Sequence, residues 1–386
     1  KPPFEGQLLF AVELFAVEVD LFSLFGDLIV VNGIQLVRPE INIHVLEDGT
    51  ANYDITISNE EELPTEDTLV NTETAKFNVA INHWSIDEAH IVYNDESLPF
   101  EMEITNLKHS CSGDFNEAVF DMTTLTDIES VSMVFDGVEY LSNKRFTSDI
   151  VISISDNYSK YTFKENTVGL NDFNLGFDGY FLMKENEYEM DITYLSKDNS
   201  FKSLLSLVPG AYLEGFEAVK TSGSLSFGGD VTGVYNESRL PAFNLDLEVA
   251  DAMFQYPDLP AAANDINIKT TISNPDGIIN STVVDVSKFE IDLGGNPFSA
   301  TLMVRNLDDV IWDLKTNGTI DLKTVSQIMP LEGMTLAGLI DMKLNSKGQL
   351  SLVEAEKYDQ LPTEGNLSVS DLKYTDETLP YDVVIK

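Results

Sequence analysis

Four histidines (His44, His83, His90 and His109), one cysteine (Cys111) and 65 Asp plus Glu are the side chains with which this 386-residue chain could do chemistry. Catalysis needs such groups to converge, and their spacing shows no such design. There is no Gly-x-Ser-x-Gly elbow, no His-Glu-x-x-His, no phosphate-cradling glycine loop and no Gly-x-Gly-x-x-Gly after a strand. His83 stands beside Trp84 and continues the apolar positions Phe77, Val79 and Ile81, with no Cys or second His at metal spacing, so a core histidine is expected there. Cys111, in the run His109-Ser110-Cys111-Ser112, reads as an ordinary buried thiol, and a lone cysteine forms no intramolecular disulfide. With so many carboxylates some pair always resembles a glycosidase dyad, so proximity in sequence carries no weight. Asn-x-Ser/Thr sites at Asn157, Asn236, Asn280, Asn317 and Asn366 are expected by coincidence in a chain rich in these residues. The expectation is a non-enzyme with no catalytic residue, no metal and no cofactor.

The same carboxylates dominate the charge. Against them stand 23 Lys plus Arg, for a formal net charge of −42. Nucleic-acid affinity comes from cations displacing counterions, so such a chain is not expected to bind DNA or RNA, or to dock on an anionic membrane through a basic patch. Disorder is not implied, because 43% of the residues are hydrophobic and 10% aromatic. The apolar stretch Leu8 to Val31 is interrupted by Glu13, Glu18, Asp20 and Asp27, which makes it strands rather than a membrane span.

The elements that position these residues are strands. Period-two alternation recurs at Ile150/Ile152/Ile154, Tyr188/Met190/Ile192/Tyr194, Phe243/Leu245/Leu247/Val249, Ile266/Ile268/Thr270/Ile272 and Phe298/Ala300/Leu302/Val304. Polar residues fill the positions between, the pattern of antiparallel sheet with one covered face. Short helices are expected over Phe201–Val208, ahead of Pro209, over 211–219, and over Leu322–Met329, ahead of Pro330. The acidic stretch Asn59 to Thr74, which holds Pro64 and no basic residue, reads as a solvated loop.

Repetition organises these elements. The two apolar-Lys-small-apolar runs that begin at Phe201 and Leu322 lie 121 residues apart, and each is followed by a glycine-punctuated strand pair and a Tyr…Leu-Pro turn. Those turns, Tyr256 to Pro260 and Tyr374 to Pro380, have a third copy at Tyr93 to Pro99. In each, Asp and Pro bend the chain, joined by Asn94 in the third copy, and Pro opens the returning strand where its missing N–H is not needed.

The passage Glu18 to Ile55, with Arg38-Pro39 closing one strand and Asp48-Gly49-Thr-Ala-Asn52 turning after the next, resembles the start of the periplasmic part of AsmA-family proteins. Phe201 to Pro209, Ser222 to Gly233 and Leu240 to Pro260 are similar to AsmA-like proteins of Bacteroidetes-type bacteria, so the resemblance spans nearly the whole chain. It implies a Gram-negative periplasmic protein tethered to the inner membrane by a preceding helix. Relatives of that family include bridge-like lipid transfer proteins, whose repeated sheets curl into a groove. The expected fold is mainly β, an elongated, curled antiparallel sheet of serial repeats with a few short helices. Its parts are an N-terminal region over 1–200, with the loop at 59–74, a repeat over 201–321, and the start of a second copy over 322–386. The resemblance implies passive carriage of phospholipid or another envelope lipid for outer-membrane maintenance, with envelope protein partners at the ends. The residues expected to line the apolar face are Phe243, Leu245, Leu247, Val249, Ile266, Ile268, Ile272, Phe298, Leu302 and Val304. Alternation fits an open groove and a closed sandwich equally well. Two other functions fit the same pattern, an assembly factor for outer-membrane proteins and a secreted β-rich surface module.

Overall fold

The computed structural model describes residues 3–26, 29–55, 79–113, 119–207, 219–256, 259–328, 334–376 and 383–385. It is mainly β, 69% strand and 8% helix, in mixed sheet that does not close into a barrel. The chain divides into two compact units, one of Lys1–Tyr158 with Pro209–Ala211, the other of Ser159–Val208 with Tyr212–Lys386. The expected loop at 59–74 and helix over 211–219 fall outside the described residues, apart from Val219, which is buried just ahead of a strand.

The first unit contains β1 (Phe10–Ala11), β2 (Leu14–Val19), β3 (Ile29–Val37), β4 (Glu40–Val45), β5 (Val79–Ile81), β6 (His83–Asp95), β7 (Phe100–Gly113), β8 (Phe120–Phe135) and β9 (Val138–Ser155). From β6 to β9 it is an antiparallel meander. On its other edge β6 pairs in parallel with β3 through Ile34↔Trp84 and with β4 through Glu40↔His90, and β5 also pairs in parallel with β3. The sheet here is therefore mixed and not purely antiparallel. The reason is connectivity: β3 and β4 continue in one direction through Arg38-Pro39, so both flank a single long strand, and the chain returns to it from β4 through 46–78.

Turn chemistry sets the hairpins. Asp136-Gly137, with φ of 50° and 73°, joins β8 to β9 as the tight turn that matches strand twist. The turn expected from Tyr93 to Pro99 joins β6 to β7 around the buried Asp95, whose carboxylate accepts from Ser97 N, Ser97 Oγ, Leu98 N and Tyr93 Oη. Left-handed residues bend this unit: Arg38 between β3 and β4, and Glu88, Asn106 and Asn143 at irregularities within β6, β7 and β9. Asn106 donates to Glu129 at 2.6 Å and Asn143 N to Ser132 Oγ at 3.0 Å, so the bends are tied to one another.

Two sequence readings meet different fates here. Cys111 is buried, and burial pushes its thiol up to about 11, so it stays protonated and inert at neutral pH. His83, expected in the core, is exposed. The apolar phase of β6 runs through Trp84 and Ile86, which pair with Cys111 and His109, and passes at the Glu88 bulge to Ala89, Ile91 and Tyr93. His109, not His83, is the half-buried histidine near Trp84, 6.5 Å between ring centres, and burial lowers its pKa.

The second unit is an antiparallel meander of sequential neighbours: β10 (Lys160–Leu170), β11 (Phe173–Met183), β12 (Tyr188–Ser196), β13 (Lys220–Tyr235), β14 (Ala242–Gln255), β15 (Ala263–Asn274), β16 (Val283–Leu293), β17 (Pro297–Arg305), β18 (Ile311–Asp321), β19 (Met334–Gln349), β20 (Thr363–Asp376) and β21 (Val383–Ile385). Helices α1 (Phe201–Leu205) and α2 (Leu322–Ile328) start at the two expected positions, and α3 (Leu350–Glu354) follows β19. Ser200 Oγ caps α1 by accepting from Lys202 N, and Asp321 caps α2 by accepting from Lys323 N and Thr324 Oγ1.

The hydrogen bonds at Asp95 hold its carboxyl below the usual carboxylate range, those from Ser97 contributing most. A lowered folded pKa adds stability above the ordinary value, about 4, that is lost as pH falls through the folded value. Asp95→Ala should therefore lower the urea unfolding midpoint at pH 7, and the gap to wild type should close in acid. An unchanged gap at low pH would show that the carboxylate is not its source.

Candidate functional site

The apolar faces of the second unit join from strand to strand. Residues paired directly across antiparallel strands share a face, so the register itself defines rows. One row runs Phe177, Tyr194, Gly229, Leu245, Ile272, Val284, Val304 and Trp312. The next runs Leu175, Ser196, then Phe227, Leu247, Thr270, Val286, Leu302 and Leu314. A third joins Leu225, Val249, Ile268, Phe289, Ala300, Thr316 and Leu344. All ten residues expected from sequence belong to these rows or to the adjoining pairs Val231↔Phe243, Ala252↔Ile266 and Ile291↔Phe298.

Burial divides the ten. Val249 and Ile266 are buried, 1% and 4% exposed, in a cluster with Phe173, Phe201, Leu225, Ala252, Ala263 and Ile328. Phe201 comes from α1 and Ile328 from α2, so the two helices plug one end of the face. Leu247 and Ile268 pack against this plug and are half-buried. Phe243, Leu245, Ile272, Phe298, Leu302 and Val304 lie beyond the cluster, half-buried, and among the described residues no second sheet reduces them to full burial. Only the plugged end is dry core; the remainder is apolar surface that solvent reaches.

Strand spacing is kept open for large rings along the face. A Cβ on Gly229 would lie 1.9 Å from Asn244 O and 2.6 Å from Tyr194 Oη. Glycine there lets Tyr194 lie across β13 and donate to Asn244 O on β14 at 3.0 Å. Burial, followed by the charges of Asp230 and Asp246, raises the Tyr194 pKa and keeps it a neutral donor. Trp312 covers Gly348 in the same way. Phe289 and Phe298 meet edge to face at 6.2 Å.

The face contains more than the sequence reading named. Tyr194 and Ile192 carried the required alternation and belong with the ten. Val284, Val286, Phe289 and Ile291 escaped notice because a bulge at Ser287-Lys288 shifts their period. Trp312 and Leu314 sit in a strand whose other face is Ile311, Asp313 and Lys315, too mixed for a simple pattern.

The opposite face is charged. Lys269 pairs with Glu248 at 3.4 Å, Lys288 with Glu290 at 3.0 Å and Lys347 with Asp313 at 2.6 Å, all across exposed strand surface. A concavity of about 950 Å³ opens over β16–β20, but most of its lining, including Lys288, Lys315, Lys343 and Glu364, belongs to this charged side and not to the apolar rows. No group of three or more His, Cys, Asp or Glu suited to a metal ion occurs among the described residues.

No protein-family model, curated protein or solved structure matches the chain.

The division of the face has a measurable consequence. Ile328→Ala, which empties the plug, should cost about 2–5 kcal/mol of stability, and Leu302→Ala clearly less. Gly229→Ala should cost about 1–3 kcal/mol by pushing Tyr194 and β14 aside. Equal losses for Ile328→Ala and Leu302→Ala in denaturant unfolding would mean that the two positions are equally packed.

Proposed function

We propose that the second unit is a non-enzymatic lipid-binding sheet that carries phospholipid acyl chains along its apolar rows. The observation that carries this reading is the half-buried, largely apolar face from β11 to β18, interrupted by Ser196, Thr270 and Thr316 and dry only where α1 and α2 plug one end. A sheet face this apolar is normally covered by another layer. Acyl chains are a suitable cover, since each buried CH₂ contributes about 0.8 kcal/mol and hydrocarbon demands no particular hydrogen-bond geometry. Many similar contacts in rows, in place of one tight pocket, suit a cargo that slides. The similarity of Phe201 to Pro209 and its neighbouring segments to AsmA-like proteins supports the same conclusion. On this reading the protein works in the periplasm of a Gram-negative envelope, tethered to the inner membrane, in outer-membrane maintenance.

A second reading, a scaffold for envelope proteins, is favoured by one feature: among the described residues β2 pairs with β3 alone, and Leu14, Phe15 and Val17 on it are exposed.

Organic extraction of the purified protein should yield phospholipid detectable by mass spectrometry. Leu302→Asp should abolish it while leaving circular dichroism unchanged and lowering the melting temperature only modestly, whereas Val249→Asp should unfold the unit. A lipid-free preparation, or full lipid content in Leu302→Asp, would sink lipid carriage and favour the scaffold.

A further inference from the structure

The most exposed large apolar side chains of the described chain lie in the first unit, far in sequence from the apolar rows of the second. Between β2 and β3 a single 3-10 turn, Ser23–Phe25, presents Leu21, Phe22, Leu24 and Phe25 to solvent, with Phe22 89% and Phe25 90% exposed. Isolated apolar residues on a surface need no explanation, but four within five consecutive residues do.

The turn is nevertheless well formed. Asp20 Oδ1 accepts from Phe22 N at 2.8 Å and Ser23 N at 3.2 Å, while Ser23 Oγ donates to Asp20 O at 2.6 Å and accepts from Val30 N at 2.9 Å. Phe25 N and Gly26 N donate to Phe22 O and Ser23 O within the turn. Polar backbone is thus turned inward on itself and the rings outward. Hydrocarbon offers no hydrogen-bond partners, so a segment entering it must satisfy its own N–H groups, a demand that a protein interface does not make. A protruding tip also needs no complementary pocket in a fluid surface.

Charge selects the kind of surface. No Lys or Arg occurs between Lys1 and Arg38, while Glu13, Glu18 and Asp20 flank the tip. An anionic bilayer would repel this region, and a zwitterionic one would not.

We infer that the Leu21–Phe25 turn inserts into the interface of a zwitterionic lipid bilayer, with Phe22 and Phe25 as its two anchors. The inference is independent of lipid carriage by the second unit, since it uses other residues and a different measurement.

The test is cosedimentation of the full chain with phosphatidylcholine vesicles. Wild type should bind, Phe22→Ser/Phe25→Ser should bind at least about tenfold more weakly, and replacing part of the lipid with phosphatidylglycerol should weaken wild-type binding at low salt. Because both rings are almost fully exposed, the double variant should melt like wild type. Absence of wild-type binding, undiminished binding by the double variant, or binding that strengthens with phosphatidylglycerol would overturn the inference. So would a wild-type dimer that the double variant dissolves in sedimentation velocity, which would assign the tip to a second copy of the chain.

Discussion

The second unit depends on one packing contact. Phe201 of α1 and Ile328 of α2 close over Leu225, Val249, Ala252, Ala263 and Ile266, and this is where its sheet gains a core. Long antiparallel strands satisfy their backbones by pairing, but pairing alone does not bury an apolar face. Two helices of 5 and 7 residues supply cover at one end, and each is stopped early by the capping and proline signals around it. The cover ends where the helices end. The half-buried rows from Phe243 to Val304 follow directly from how little helix the chain provides.

Bulges shape what pairing begins. Strands of 14, 16 and 18 residues, such as β7, β8 and β9, would twist progressively if left regular. Asn, Asp and Glu at positive φ interrupt them instead: Glu88, Asn106 and Asn143 in the first unit, Glu165, Asp251 and Asp265 in the second. Such residues tolerate the left-handed conformation through short local hydrogen bonds, as when Asn267 accepts from Asp251 N and donates to Asp265 O. Part of the acidic and amide content therefore works as backbone hardware.

The remaining acids charge the face opposite the apolar rows. Exposed pairs such as Lys269–Glu248 contribute little individually. Collectively, a net charge of −42 makes charged faces repel one another, which discourages stacking of two such sheets.

The sequence by itself determined the class of the fold and much of the candidate face. Period-two alternation at Phe243–Val249, Ile266–Ile272 and Phe298–Val304 puts side chains on one side whatever the tertiary context, and α1 and α2 were legible in the apolar spacing that begins at Phe201 and Leu322 and in Pro209 and Pro330 that follow. Alternation says nothing about what lies above a face, because buried and wetted apolar residues are written alike. Only the tertiary structure separated Val249 and Ile266, under the plug, from Leu302 and Val304 beyond it. Bulges were equally silent: a single inserted residue moves the pattern by one position, which hid Phe289; and β6 starts its apolar phase at Trp84 and Ile86, which left His83 exposed where continuation of Phe77, Val79 and Ile81 put it inside. The parallel pairing of β3 and β4 with β6 was beyond reach for the same physical reason, since which strand lies beside which is decided by long-range closure and not by any local run of residues.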